Sequence, residues 1–365
     1  MKKISCLNKT KKYSLVGGAS LIMAAALLLL ARKVPVFAQW YSENVYEVLV
    51  TAVGGLFGIF PFSLSEVLLY VLIISASLLL ARLVIRLVRG KAGKAEIARL
   101  GAGVFCMAGV LIFIYAASCG VNYHKTSFAA SIGLKADNYT AAQLAEVCLV
   151  LTESVNSDAE TVARNQDGVM VVTCNVAENA RAEMINLSED FSCLEGYYPK
   201  PKGLIFPWIL SVQKITGIYS PFTIEANYNT GMTDYNIPFT ACHELSHLRG
   251  FMREEEANFI AWLACSESDN PEFRYSGGLR GWISCMNVLY RTDYEAWAQL
   301  RVKLNPLVEA DLAANREYWA QYEGKIAETA EKVNDGYLKA NGQSDGIKSY
   351  GRMCDLIVAW MQENR

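Results

Sequence analysis

His243, Glu244 and His247 occur as His243-Glu244-Leu245-Ser246-His247 in a chain of 365 residues that has only one other histidine, His124. On a helix, histidines four positions apart lie one turn apart on the same face, so their imidazoles can converge on one Zn2+. The glutamate between them then faces a water at the metal and can act as general base in peptide-bond hydrolysis. A catalytic zinc takes a third protein ligand and keeps one position open. No histidine follows His247, so that ligand must be a carboxylate or a cysteine, and Arg253-Glu254-Glu255-Glu256-Ala257-Asn258 places three glutamates just downstream. The chemistry also needs a donor for the tetrahedral oxyanion. Tyr275, Arg280, Tyr350, Arg352 and His124 are the candidates, and the sequence does not choose among them. The plain alternative, a surface helix with solvated histidines, leaves the glutamate run without a role.

These residues need elements to hold them. The motif predicts a helix over 236–248, with Pro238 in its first turn and Gly250 placed to end it in the left-handed region. A second helix follows Gly250 and carries the glutamates. Phe222 to Asn229 (FTIEANYN) reads as a strand stopped by Thr230-Gly231. It is either the edge strand on which an extended peptide pairs, or a core strand whose Glu225 and Asn227 make local turn contacts. Thr140 to Ser154 has the apolar spacing of an amphipathic helix capped by Asn138 or Thr140, and Gly168 to Cys174 is a short β-like run. Pro199, Pro201 and Pro207 bracket a loop. From Pro238 onward nearly everything reads as helix, with breaks at Gly250, Asp269 to Gly278, Pro306 and Asn341 to Gly346. The expected class is α+β, mainly helical, with a zincin-like metallopeptidase domain behind membrane spans.

A hydrophobic content of 52% is too apolar for an ordinary soluble enzyme, and the excess sits in the first third. Residues 13–31, 64–88 and 100–118 are the candidate spans, making 1–120 a membrane domain and 121–365 the catalytic one. Residues 34–63 read as an external loop with a short interfacial helix, its Trp40, Tyr41 and Tyr46 forming an aromatic belt; Gly54, Gly55, Gly58 and Pro61 argue against a fourth crossing. Basic residues collect on the cytoplasmic side of short loops. Lys2, Lys3, Lys9, Lys11 and Lys12 precede the first span, and Arg82 to Arg99 join the second to the third. This puts the N-terminus in the cytoplasm and the catalytic domain outside the cytoplasmic membrane. The first span is expected to stay as an anchor; cleavage after Val36-Phe37-Ala38 is the alternative and leaves the topology unchanged. A net charge of −2 with no basic patch gives no reason to expect nucleic acid, so the expected partners are the lipid bilayer and a peptide or protein substrate. Cys6 falls inside and Cys106 in the third span, leaving eight cysteines outside without a CxxC pair; disulfides and buried thiols are both open.

The string from Glu254 to Asn258 resembles the second zinc helix of the gluzincin peptidases, E-x-x-A-[ND]. That resemblance implies Glu254 as third ligand and Asn258, where Asp is usual, as hydrogen-bond partner of an imidazole. The gap between the two elements is shorter than in most gluzincins, which leaves Glu256 as the competing ligand. His243 to Gly250 also resembles the start of the metzincin string HExxHxxGxxH, but Arg253 stands at its third histidine. Over nearly its whole length the chain is similar to an uncharacterised bacterial family of membrane proteins, domain of unknown function 3810. The markers are PFS at Pro61, GIYSPFTIEANYNT at Gly217, PFTACHELSHLRGF at Pro238, EEEANFIAWLAC at Glu254 and YLKANGQSDGIKSYGRM at Tyr337. This similarity implies a zinc motif and no particular substrate.

The residues together predict a membrane-anchored zinc metallopeptidase with Glu244 as general base. An intramembrane metalloprotease would need the motif inside an apolar span, whereas it sits between Asp234 and the charged stretch from Arg249 to Glu256. The rival from another class is a non-catalytic sensor or assembly protein that keeps a structural zinc site. Glu244 separates the two, because a structural site has no use for a base between its ligands.

Overall fold

The structure, a computed structural model, describes residues 2–91, 93–136, 138–343 and 352–364, with side chains from Lys9 onward. Three helices come first: α1 (Lys2–Lys33), α2 (Leu64–Val88) and α3 (Lys94–Ser118). Each includes a 25-residue stretch apolar enough to cross a membrane, starting at Lys9, Leu64 and Lys94. At 1.5 Å per residue such a stretch spans about 37 Å, against a hydrocarbon layer of about 30 Å. The helices therefore outrun the predicted spans 13–31 and 100–118 into their charged flanks, where long side chains can reach water. α1 and α3 pack in parallel. A Cβ on Gly109 would lie 2.5 Å from the Gly17 carbonyl oxygen, and one on Gly120 would lie 2.6 Å from Leu28, so small residues set the close backbone approach. α2 stands apart, with none of its apolar window buried.

Residues 35–58 form a helical arm broken by two π-turns, Ser42–Tyr46 and Val50–Gly54. The arm is packed on the rest of the chain along one side. Ala38, Tyr41, Tyr46 and Val50 are buried in the same core as Leu245 and Phe251, so the hydrophobic core runs across the expected boundary at residue 120. The start of α2 is tied down as well. Glu225 accepts the free Leu64 and Ser65 N–H groups at 3.1 and 2.8 Å, and Glu66 accepts those of Ile205 and Phe206, both at 2.8 Å. Lys202, 2.5 Å from Glu225, neutralises that buried carboxylate.

The remaining chain is mainly helical. α4 (Ala141–Ala159) starts in a capping box made by Thr140 and Gln143, so Thr140 is the cap. α5 (Val176–Asp190) follows. Between them the predicted β-like run forms only one bridge, Arg164 to Met170. Carboxylates of Asp311, Asp234 and Glu272 take the N–H groups of Met170, Val172 and Thr173 that a neighbouring strand would need.

The single sheet among the described residues has the order β1 (Lys202–Gly203), β3 (Glu225–Tyr228), β2 (Gly217–Ser220), with β1 parallel and β2 antiparallel to β3. FTIEANYN thus supplies the central strand and not an edge, and Glu225 serves α2 where a local turn contact was the expectation. The edge beside the motif is β2.

α6 (Asn236–Leu248), α7 (Glu254–Ser266) and α8 (Pro271–Thr292) pack together, followed by α9 (Tyr294–Arg301), α10 (Pro306–Ala320), α11 (Lys325–Ala340) and α12 (Met353–Glu363). The break predicted to run to Gly278 ends at Asn270, which caps α8. Gly277 and Gly281 lie inside α8, where a Cβ would collide with Cys265 and Trp262 of α7. They serve close helix packing, not a turn. The break predicted at Asn341 holds at its start, and Gly346 lies outside the described residues. Cysteines whose side chains are described are all free thiols, most of them buried.

Candidate metal centre

α6 ends where the next ligand is needed. Gly250 takes φ +86°, its N–H donates to the His247 carbonyl at 2.8 Å, and the Phe251 N–H reaches back to Ser246 at 3.1 Å. This left-handed stop satisfies the terminal carbonyls and turns the chain sharply. α7 then opens on Glu254, and the acids of its first turn suit the positive end of the helix dipole.

The turn brings Glu254 to the histidines. Its Oε2 lies 3.4 Å from His243 Nε2 and 3.8 Å from His247 Nε2, and the ligand atoms of all three residues lie within 4.8 Å of one another. The rings stand at 84° with centroids 4.6 Å apart. His247 Nδ1 lies 2.8 Å from the Phe251 carbonyl, an acceptor only, so Nδ1 carries a proton and Nε2 is the ring atom that faces Glu254. Asn258 is buried one turn beyond Glu254, but the hydrogen bond expected of it at an imidazole is the one made by Phe251. His243 Nδ1 is buried and has no hydrogen-bond partner among the described residues. The other glutamates turn away, as about 100° per residue requires. Glu255 accepts from Gln343 at 2.8 Å, and Glu256 lies 3.5 Å from Arg253.

The electrostatics are those of a desolvated cluster. Burial pushes the Glu254 carboxyl up, but both histidines outweigh it and hold it well below the usual carboxylate range. Burial lowers His247, yet Glu254, Glu244 and the Phe251 carbonyl bring it to about 9. His243 ends below its ordinary value, chiefly through burial. Two nitrogens and a carboxylate held together in a largely buried cluster form a donor set that suits a divalent ion such as Zn2+.

Glu244 sits beside this cluster, 3% exposed, against β2. A Cβ on Gly217 would lie 2.5 Å from Glu244 Oε1 and 2.7 Å from Thr240 Cγ2, so only glycine lets the strand approach this closely. Asn229 N–H donates to the Thr216 carbonyl, which makes 216 and 229 a bonded pair and turns the backbone groups of Gly217 and Tyr219 away from β3. Tyr219 N–H accordingly faces Glu244, while Glu244 Oε2 is buried without a hydrogen-bond partner among the described residues. Burial pushes this carboxyl up to about 8.

Of the expected oxyanion donors, Arg280 lies on the site side. Its guanidinium is 5.3 Å from the Phe239 ring, which stacks on His243, and its charge helps depress that histidine. Tyr275 is turned the other way and donates a short bond to Asp311, which also binds Arg164. Arg352 is near Glu255, His124 lies between Arg32 and Arg253, and Tyr350 lies outside the described residues. Sequence reasoning missed the Phe251 carbonyl, the β2 contacts and Tyr123, whose phenol is close enough to Glu254 to be raised by it after burial and Cys119. A glycine opening an apolar run at Gly217 was the one available signal for β2.

A family model described as "Protein of unknown function (DUF3810)" matches residues 41–358. No curated protein and no solved structure matches the chain.

Proposed function

The chain belongs to the DUF3810 family, whose function is unknown, and we propose that it is a membrane-anchored zinc metallopeptidase with a zincin-like domain. One observation carries this reading: His243, His247 and Glu254 present three ligand atoms to one point beside a buried glutamate with an unpaired oxygen. His243 Nε2, His247 Nε2 and the Glu254 carboxylate would hold the ion. Zinc in such a site supplies Lewis acidity, polarising a carbonyl and acidifying a water. Glu244 takes a proton from the attacking water through its free oxygen and passes it to the leaving amine. The carboxylate is packed against β2, where Gly217 lies close to its other oxygen and Tyr219 N–H faces it. Among the described residues the outer edge of β2 has no strand partner and would offer backbone groups to an extended peptide, and Arg280, 5.3 Å from the Phe239 ring that stacks on His243, is the residue that would donate to the oxyanion.

The basic residues Lys9, Lys11, Lys12, Arg82, Arg86, Arg89, Lys94 and Arg99 lie at the helix ends away from the Glu225 and Tyr41 contacts. The positive-inside rule therefore supports a catalytic domain outside the cytoplasmic membrane. Metal analysis of the full-length protein tests the reading: about one zinc per chain in the wild type and none in His243→Ala. A wild type that takes up no zinc from buffer would reject it.

A further inference from the structure

The metal-ligating cluster is fastened to the span ends from several sides. Tyr219 links them, because its backbone N–H faces Glu244 across the β2 contact while its hydroxyl donates to the carbonyl of Ser118, the last residue of α3, at 3.1 Å. Ser118 Oγ in turn donates to the Pro221 carbonyl at 2.7 Å, so β2 ends on the helix terminus. On the far side of the cluster Met252, two residues before Glu254, touches Cys119 at 3.6 Å. Tyr46 of the arm donates to the carbonyl of Leu248, next to His247, at 2.8 Å.

These contacts fix a height. One tyrosine, its hydroxyl bonded to the end of α3 and its N–H facing Glu244, separates the two by on the order of 10 Å. A bilayer measures about 40–45 Å with its headgroups and about 30 Å without, which leaves about 5–8 Å of headgroup on each side, so the reacting groups lie at the outer margin of the headgroups. The bordering segments are apolar and exposed. Phe206, 61% exposed, packs edge-on against Tyr70 at 5.7 Å, inside α2, and Ile218 of β2 and Phe222 just after it are each 46% exposed.

We infer that the substrate is a membrane-anchored polypeptide, cut within the few residues that follow its emergence from the bilayer. An extended chain rises about 3.3 Å per residue, so the 10 Å height corresponds to about three residues, and a slanted path to fewer than about ten. Exposed Ile218 and Phe222 beside the β2 edge suit apolar side chains that such a segment carries out of the lipid.

This inference rests on the peptidase reading, and one experiment separates their failures. The full-length zinc-loaded protein is placed in vesicles of phosphatidylethanolamine and phosphatidylglycerol. One substrate pool has a single transmembrane anchor followed by sixty residues of randomised sequence; the other has the same sixty residues without the anchor. Cut positions are read by mass spectrometry. The expected result is cleavage concentrated in the first ten or so residues after the anchor, at least tenfold faster than in the free pool. Cuts spread evenly along the tail, or equal rates on both pools, overturn the inference and leave the peptidase reading standing. No zinc-dependent cleavage in either pool overturns both.

Discussion

Gly217→Ala tests how closely β2 constrains Glu244. No positive φ requires glycine at this position, so alanine is compatible with the strand and the effect is steric. The added methyl would lie 2.5 Å from Glu244 Oε1, 2.7 Å from Thr240 Cγ2 and 2.8 Å from Glu244 Cγ, where ordinary contact begins at 3.4 Å. The strand or the carboxylate must therefore yield by about 1 Å. Overpacking of this kind costs about 1–3 kcal/mol, and replacing a strand glycine returns about 0.5–1 kcal/mol, so a net destabilisation of roughly 0–2 kcal/mol is expected. Activity should suffer more than stability, since a 1 Å misplacement of a catalytic group can cost about 100-fold in rate. The three ligands do not touch the methyl, so zinc content should stay at the wild-type level. Thermal unfolding, metal analysis and peptide cleavage on the same preparation read all three quantities. A variant with unchanged cleavage and unchanged stability would refute the close approach.

The third ligand is tested by zinc retention under a mild chelator: Glu254→Ala should empty the site, whereas Glu256→Ala should leave it nearly intact. Asn258→Ala should weaken retention by less than the 10- to 100-fold typical of a ligand's hydrogen-bond partner, because Phe251 makes that bond. Asp311→Ala should destabilise the fold by about 3–5 kcal/mol in chemical unfolding, because buried Asp311 pairs with Arg164 and accepts from Met170 and Tyr275. Lys125 supplies a pH dependence. Burial first, then the charge of Arg249, lowers it from 10.5 to about 7. Between pH 7 and 10.5 the unfolded chain binds the proton and the folded chain does not, so Lys125 makes stability rise with pH across that window. Lys125→Met should be more stable than wild type near pH 7, with the gap in melting temperature closing toward pH 10; a gap independent of pH would contradict this.

The helix bounds 236–248, the stop at Gly250 and the three spans were legible in the sequence because each depends on local periodicity, glycine placement or apolar length. What sequence could not supply depends on contacts distant along the chain. Alternation marks FTIEANYN as a strand, yet whether a strand is central or an edge is decided by its partners, here Lys202–Gly203 and Gly217–Ser220. Glycines read as turn residues at 277 and 278 because nothing local reveals that α7 passes against the first and α4 against the second. The run from Gly168 to Cys174 is rich in valine like a strand, but its donors are claimed by three carboxylates from 62 to 141 residues away. The Phe251 carbonyl is a backbone group, and no side-chain pattern announces it.

The central claim is that His243, His247 and Glu254 hold the metal while Glu244 performs proton transfer. Glu244→Gln keeps the side-chain shape and removes the base, so zinc content and peptide cleavage measured together on this variant test it most directly. The account predicts zinc at the wild-type stoichiometry with hydrolysis reduced to background. Hydrolysis retained at a rate near wild type, with zinc still bound, would contradict it.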